Sequence, residues 1–147
     1  MRYRLLCIGR AAADPLLDAA EDYRTRLSRF VATEIVRLRE GTPTTERDAL
    51  CKRLAPDDFI VALCERGTEL DTLGLAAYLG DLATRGVRSV AFVVGGADGL
   101  HADIKKKAKK TLALSRLTLP HRLAQVVLLE QLYRAHSVLR GQPYHRA

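Results

Sequence analysis

Two uninterrupted apolar runs, Phe59-Ile60-Val61-Ala62-Leu63-Cys64 and Ser89-Val90-Ala91-Phe92-Val93-Val94, constrain this chain more than any other feature. A strand with one wet face alternates apolar and polar residues. A run without alternation belongs to a strand covered on both faces, as in a parallel sheet wrapped by helices. The first run stops at a charged loop, Glu65-Arg66-Gly67-Thr68, and the second at Gly95-Gly96. Between them, residues 72 to about 85 read as a helix.

The same strand, loop and helix order opens the chain. Residues 2–8 are rich in β-formers and end at Gly9, after which Asp14-Pro15 supplies a cap and a first-turn proline for a helix to about residue 30. Residues 33–38 read as a second strand, followed by the turn Glu40-Gly41-Thr42-Pro43 and a helix to about residue 54. Leu123, Val126, Val127, Leu129 and Leu132 recur at helical spacing within residues 122–139, and Gly141-Gln142-Pro143 ends that helix. The repeated order implies an α/β fold, a mostly parallel sheet with helices on both faces. It occupies a single domain, residues 1–147, with no linker or repeat.

Charge and cysteine usage narrow the function without fixing it. Lys and Arg total 24 against 17 Asp and Glu, a formal net charge of +7. That excess suits a polyanionic partner such as nucleic acid, and equally a solvated positive face. Cys7, Cys51 and Cys64 are scattered and form neither a CxxC pair nor a set at metal-ligand spacing, so they read as buried thiols in a reducing compartment. No apolar stretch reaches 18 residues, so the expectation is a cytoplasmic protein without membrane or metal partner.

Ligands of open α/β sheets bind outside the carboxyl ends of the strands, which singles out the loops after Leu63, Val94 and Leu114. In Gly95-Gly96-Ala97-Asp98-Gly99 the glycines let the backbone approach a ligand closely, although a tight turn would use them too. Neither GxxxxGK[ST] nor GxGxxG is present, so a ligand less charged than a nucleoside triphosphate or dinucleotide is favoured. Residues 114–119 are mostly apolar and end at Pro120. They suit a flat heterocycle, or simply a short strand leading into a helix. Lys105-Lys106-Lys107-Ala108-Lys109-Lys110 offers phosphate contacts or a solvated face. Arg134 and Pro143-Tyr144-His145-Arg146 bring together a stacking group, a titratable base and an anion ligand, unless the tail is frayed.

Four motifs in this order resemble the RlmH family of the SPOUT superfamily, the 23S ribosomal RNA pseudouridine-N3 methyltransferases. They are Val93-Val94-Gly95-Gly96-Ala97-Asp98-Gly99-Leu100, Leu117-Thr118-Leu119-Pro120-His121, Leu129-Glu130-Gln131-Leu132-Tyr133-Arg134-Ala135 and Pro143-Tyr144-His145-Arg146. The chain departs from that family in residues 41–54, which look shorter, and at Cys64, where an acidic residue is expected.

The resemblance implies a SPOUT (α/β knot) fold with a C-terminal trefoil knot, a homodimer, and S-adenosyl-L-methionine as methyl donor. It implies cofactor contacts at Leu63, Gly95, Leu114, Ser115, Arg116, Leu117, Thr118 and Leu119. Its substrate is a pseudouridine in the helix 69 loop of 23S ribosomal RNA, met in the assembled ribosome. His145 is then the candidate base, Tyr144 stacks on or holds the uracil ring, and Arg134 stabilises the developing anion or a phosphate. Two rival readings are a non-catalytic RNA-binding or ribosome-assembly module of the same fold, and an unknotted nucleotide-binding enzyme.

Overall fold

The computed structural model describes residues 1–146. Five strands alternate with five helices: β1 (Arg2–Ile8), α1 (Pro15–Leu27), β2 (Ala32–Leu38), α2 (Pro43–Arg53), β3 (Phe59–Glu69), α3 (Thr72–Thr84), β4 (Ser89–Val94), α4 (Ala102–Lys107), β5 (Lys110–Ala113) and α5 (His121–Leu139). All strands pair in parallel, in the order β2-β1-β4-β3-β5. This is the α/β arrangement expected from the two apolar runs.

The absence of alternation in β4 has a direct cause, because every one of its residues is buried. Val90, Phe92 and Val94 face a core built by α1, α3 and α5, while Ala91 and Val93 face a smaller one under α2 and α4. β1 splits the same way, with Tyr3, Leu5 and Cys7 on the first face and Leu6 and Ile8 on the second. Each fully buried Leu, Ile, Val or Phe contributes roughly 1.5–3 kcal/mol relative to exposure. The Tyr3 ring meets Phe92 edge-on, with centroids 5.4 Å apart, and its hydroxyl is 2.7 Å from Nε2 of the buried His136.

Helix starts follow local chemistry. Asp14 accepts from the Leu16 N–H at 2.7 Å and precedes Pro15, and Asp71 accepts from the Gly74 N–H at 2.7 Å. α5 begins after Pro120 without a side-chain cap. Its first turn is held from outside: Arg122 donates to Asp14 at 2.6 Å, and Arg37 donates to the buried Gln125 at 2.7 Å. These contacts seat the start of α5 over the carboxyl ends of β1 and β2.

The amino ends of the strands are closed by one buried polar network. Arg4 donates to Asp58 at 2.6 Å, to Glu34 at 3.0 Å and to the Arg53 carbonyl at 2.9 Å. Asp58, whose side chain is wholly inaccessible, also accepts from Ser89 Oγ at 2.6 Å and from the Ala55 N–H at 2.8 Å.

Three expectations are corrected. β3 does not stop at Cys64: Leu63 and Thr68 both register opposite Leu112, and residues 64–67 loop out between them before the strand resumes to Glu69. Backbone pairing with β5 recruits the charged residues, since ladder bonds are blind to side-chain polarity. Gly67 makes the return possible, because a Cβ there would lie 2.7 Å from the Thr111 carbonyl. The lysine run is divided between α4 and the start of β5. Of the three free cysteines only Cys7 is buried, its thiol pushed up to about 12 by desolvation, while Cys51 and Cys64 are half-buried.

Candidate active site

The carboxyl ends of β3, β4 and β5 open into one cavity of about 780 Å³. Its size falls in the range of roughly 300–1,000 Å³ usual for sites that enclose small organic ligands. Three segments wall it: the loop-out of β3, the glycine loop after β4, and residues 114–121 after β5.

Each wall has a local reason for its shape. The β3 loop-out brings Cys64, Glu65 and Arg66 to the rim. After β4 the chain folds back so tightly that Gly96 pairs with Gly99, and a Cβ on Gly95 would sit 2.6 Å from the Gly99 carbonyl carbon. Only glycine fits there without moving the loop. In the third segment the Leu117 N–H bonds to Ser115 Oγ at 2.9 Å, Thr118 Oγ1 donates to Glu65 at 2.6 Å, and Arg116 pairs with Glu69. The last two contacts latch residues 114–121 onto the far part of β3 across the cavity mouth.

Of the residues expected to hold a cofactor, Leu63, Gly95, Leu114, Ser115, Leu117, Thr118 and Leu119 line this cavity. Arg116 does not: its side chain is 85% exposed and turned to Glu69. Sequence reasoning missed Lys105, His121 and Ala124, which also line it. His121 stood beside Pro120 at the head of a helix, a position with no ligand signal of its own. Among the described residues, His121 Nε2 is the buried side-chain nitrogen or oxygen without a hydrogen-bond partner. Apolar walls, a glycine cradle and an orphaned polar atom suit a ligand with a flat ring and polar edges. No three His, Cys, Asp or Glu side chains gather as a metal site among the described residues.

The structure brings the three residues assigned to catalysis together, but elsewhere. Arg134 donates to Glu130 Oε1 from Nε at 2.9 Å and from Nη2 at 2.6 Å. Its guanidinium lies 4.7 Å from the centroid of the Tyr144 ring and its Nη1 is 3.5 Å from His145 Nδ1. Tyr144 donates to Glu130 at 3.2 Å and packs edge-on against Tyr133, with centroids 4.7 Å apart. The tail is therefore docked on α5, not frayed. Burial, then Tyr23 and the negative Glu130, raise the Tyr144 pKa above the ordinary phenol value, so this hydroxyl stays protonated and donates. Arg134 is ten residues beyond Ala124 on the same helix, about 15 Å along its axis, and none of the three residues lines the cavity.

Comparison with known proteins identifies the family. The family model described as "Predicted SPOUT methyltransferase" matches residues 1–145. A ribosomal RNA large subunit methyltransferase H from Anaeromyxobacter sp. (strain Fw109-5) is 44% identical, covering 99% of this chain and 100% of the relative. One of the same name from Parasynechococcus marenigrum (strain WH8102) is 40% identical over 99% of this chain and 97% of its own. Two solved structures share the fold at low identity. A probable methylase family protein from Haemophilus influenzae Rd KW20 has TM-score 0.61 and 13% identity, covering 99% of this chain and 70% of that one. A probable methyltransferase from Bordetella pertussis Tohama I has TM-score 0.60 and 16% identity, covering 91% and 95%. With a family match along nearly its whole length and relatives well above 30% identity, the chain belongs to the SPOUT methyltransferases, in the family of ribosomal RNA large subunit methyltransferase H.

Proposed function

We propose that this protein methylates N3 of a pseudouridine in the helix 69 loop of 23S ribosomal RNA, using S-adenosyl-L-methionine bound at the carboxyl ends of β3, β4 and β5. The observation that carries the reading is the coincidence of that cavity with seven of the eight positions assigned to the cofactor from sequence. The eighth, Arg116, lies outside the cavity, its side chain turned to Glu69. Bound there, the cofactor supplies an electrophilic methyl group on a sulfonium. Leu63, Leu114, Leu117 and Leu119 would hold it in an apolar, water-poor cavity, and Gly95 would leave room for its approach to the backbone.

The substrate side falls to the C-terminal cluster. His145 would take the N3 proton, leaving the nitrogen lone pair free to accept a methyl group. Tyr144, held protonated, stacks on the base or donates to it. Arg134 balances the negative charge that develops on the ring, its position fixed by Glu130.

A single chain keeps these two halves apart, and a homodimer joins the tail of one subunit to the cavity of the other. Leu117, 76% exposed at the cavity mouth, supports a covering partner there. The route of the chain supports the trefoil knot. β5 is at the sheet edge, yet α5 packs on α1 and α3, so residues 114–120 must carry the chain back across β3 and β4. No described helix is long and apolar enough to cross a membrane, and a ribosomal RNA substrate supports a cytoplasmic location.

The test supplies methyl-labelled S-adenosylmethionine, the protein and ribosomes from cells lacking this activity, then maps the label. Label on the imide nitrogen of a helix 69 pseudouridine is expected. Label at another nucleotide rejects the target, and RNA binding without any transfer supports the non-catalytic module instead.

A further inference from the structure

The lysines that follow the glycine loop part company once the chain folds. Lys110 opens β5 and its ammonium lies 4.9 Å from the centroid of the Tyr78 ring on α3. Lys105, Lys106, Lys107 and Lys109 remain exposed on the side of α4. Among the described residues every ion pair is made by arginine or histidine, so none of these ammonium groups is neutralised by a carboxylate.

Their placement is directional. Buried Ile104 anchors α4, which leaves Lys105, Lys106 and Lys107 to fan outward at about 100° per residue. Lys105 lines the rim of the main cavity. Lys106 and Lys107 line a second groove of about 420 Å³ with Arg47, Cys51 and Asp103. Asp103, the acidic member of that groove, is already held by Arg47 at 2.9 Å, with His101 Nδ1 at 3.7 Å. Lys107 Nζ lies 3.4 Å from Cys51 Sγ. Lys109 continues the row beyond the helix, where its backbone N–H joins the Ile60 carbonyl. The positive ridge thus starts at the cavity rim and runs down the flank of the sheet.

We propose that Lys106, Lys107 and Lys109 bind the phosphodiester backbone of the RNA substrate and guide it to the cavity, with Lys105 marking where ridge and cavity meet. The proposal rests on the reading of an RNA substrate given above. Capture of phosphate by lysine needs point charges, not a fixed fork, which a row of flexible exposed side chains provides. A lipid surface fits less well. The exposed large hydrophobic residues are Met1, Leu16, Leu73, Leu117 and Leu139, none of which lies on α2 or α4 to insert into a bilayer.

The test compares the wild-type protein with a Lys106→Gln, Lys107→Gln, Lys109→Gln variant. Affinity for a labelled 23S ribosomal RNA fragment containing helix 69 is read by fluorescence anisotropy across a salt series. The variant should bind roughly ten- to a hundredfold more weakly and lose about two units of slope in log K against log salt. S-adenosylmethionine affinity and kcat on ribosomes should stay within twofold, with KM raised. An unchanged affinity and slope overturns the proposal, as does loss of binding to phosphatidylserine vesicles with RNA binding intact. Absence of methyl transfer by the wild-type protein would instead reject the functional reading, and the binding series would still decide the ridge.

Discussion

The two ends of the same sheet are built on opposite principles. At the amino ends, Arg4, Asp58, Ser89, Glu34 and two main-chain groups satisfy one another in a closed network. At the carboxyl ends the chain leaves a cavity, a glycine loop held in a tight reversal, and the unpartnered His121 Nε2. A buried polar atom without a partner costs about 1–3 kcal/mol, a cost that the amino-end network avoids. The contrast separates a stabilising network from the cavity along a single strand direction. Changes in the Arg4–Asp58 network should unfold the protein, and changes in the cavity should disable it while it stays folded.

The largest effect expected is from Asp58→Asn, which leaves the buried Arg4 guanidinium with only the exposed Glu34 as countercharge. Removing one partner of a buried pair destabilises by about 3–5 kcal/mol, measurable by urea unfolding, while the folded fraction should retain its cofactor affinity. A small stability loss with weakened cofactor binding would break the comparison.

In the C-terminal cluster on α5, apart from both the network and the cavity, His145→Ala should lower single-turnover methylation by about 10²–10⁴-fold with melting temperature and cofactor affinity nearly unchanged. Normal turnover would remove His145 from the role of base. Gly95→Ala comes next, since its new Cβ must displace the Gly99 backbone. Cofactor affinity should fall at least about tenfold, or about 1.4 kcal/mol, with a smaller effect on unfolding. Calorimetry with S-adenosylmethionine decides this.

Acid sharpens the same contrast. Burial alone would raise the Asp58 pKa, but the bonds from Ser89, the Ala55 N–H and Arg4 outweigh it and hold the carboxyl below its ordinary value of 3.8. A depressed folded pKa gives stability that is present above the unfolded value and is lost as pH falls through the folded one. The gap between wild type and Asp58→Asn should therefore be full at neutral pH and narrow below about pH 4. The smallest effect is expected at Arg116→Ala. Its exposed pair with Glu69 should leave the melting temperature unchanged within error.

How much of this could be read from sequence depended on what kind of interaction each element uses. β4 was legible to the residue because burial on both faces writes itself as an apolar run, and β1 through its β-formers ending at Gly9. The far half of β3 was not, because edge pairing with β5 places no demand on side-chain polarity. Seven cavity-lining positions were found through strand ends and family resemblance, whereas Lys105 and His121 reach the cavity only through helix placement. The distance between the C-terminal cluster and the cavity was also invisible. Spacing along a chain says which residues share a helix, not which subunit they serve.

Hydrogen exchange with and without S-adenosylmethionine tests the division most directly. The account predicts added protection in residues 63–66, 94–100 and 114–121, with the amides around Arg4 and Asp58 already slow and unmoved by the ligand. Protection centred on the amino ends of the strands, or none anywhere at saturating ligand, would contradict it.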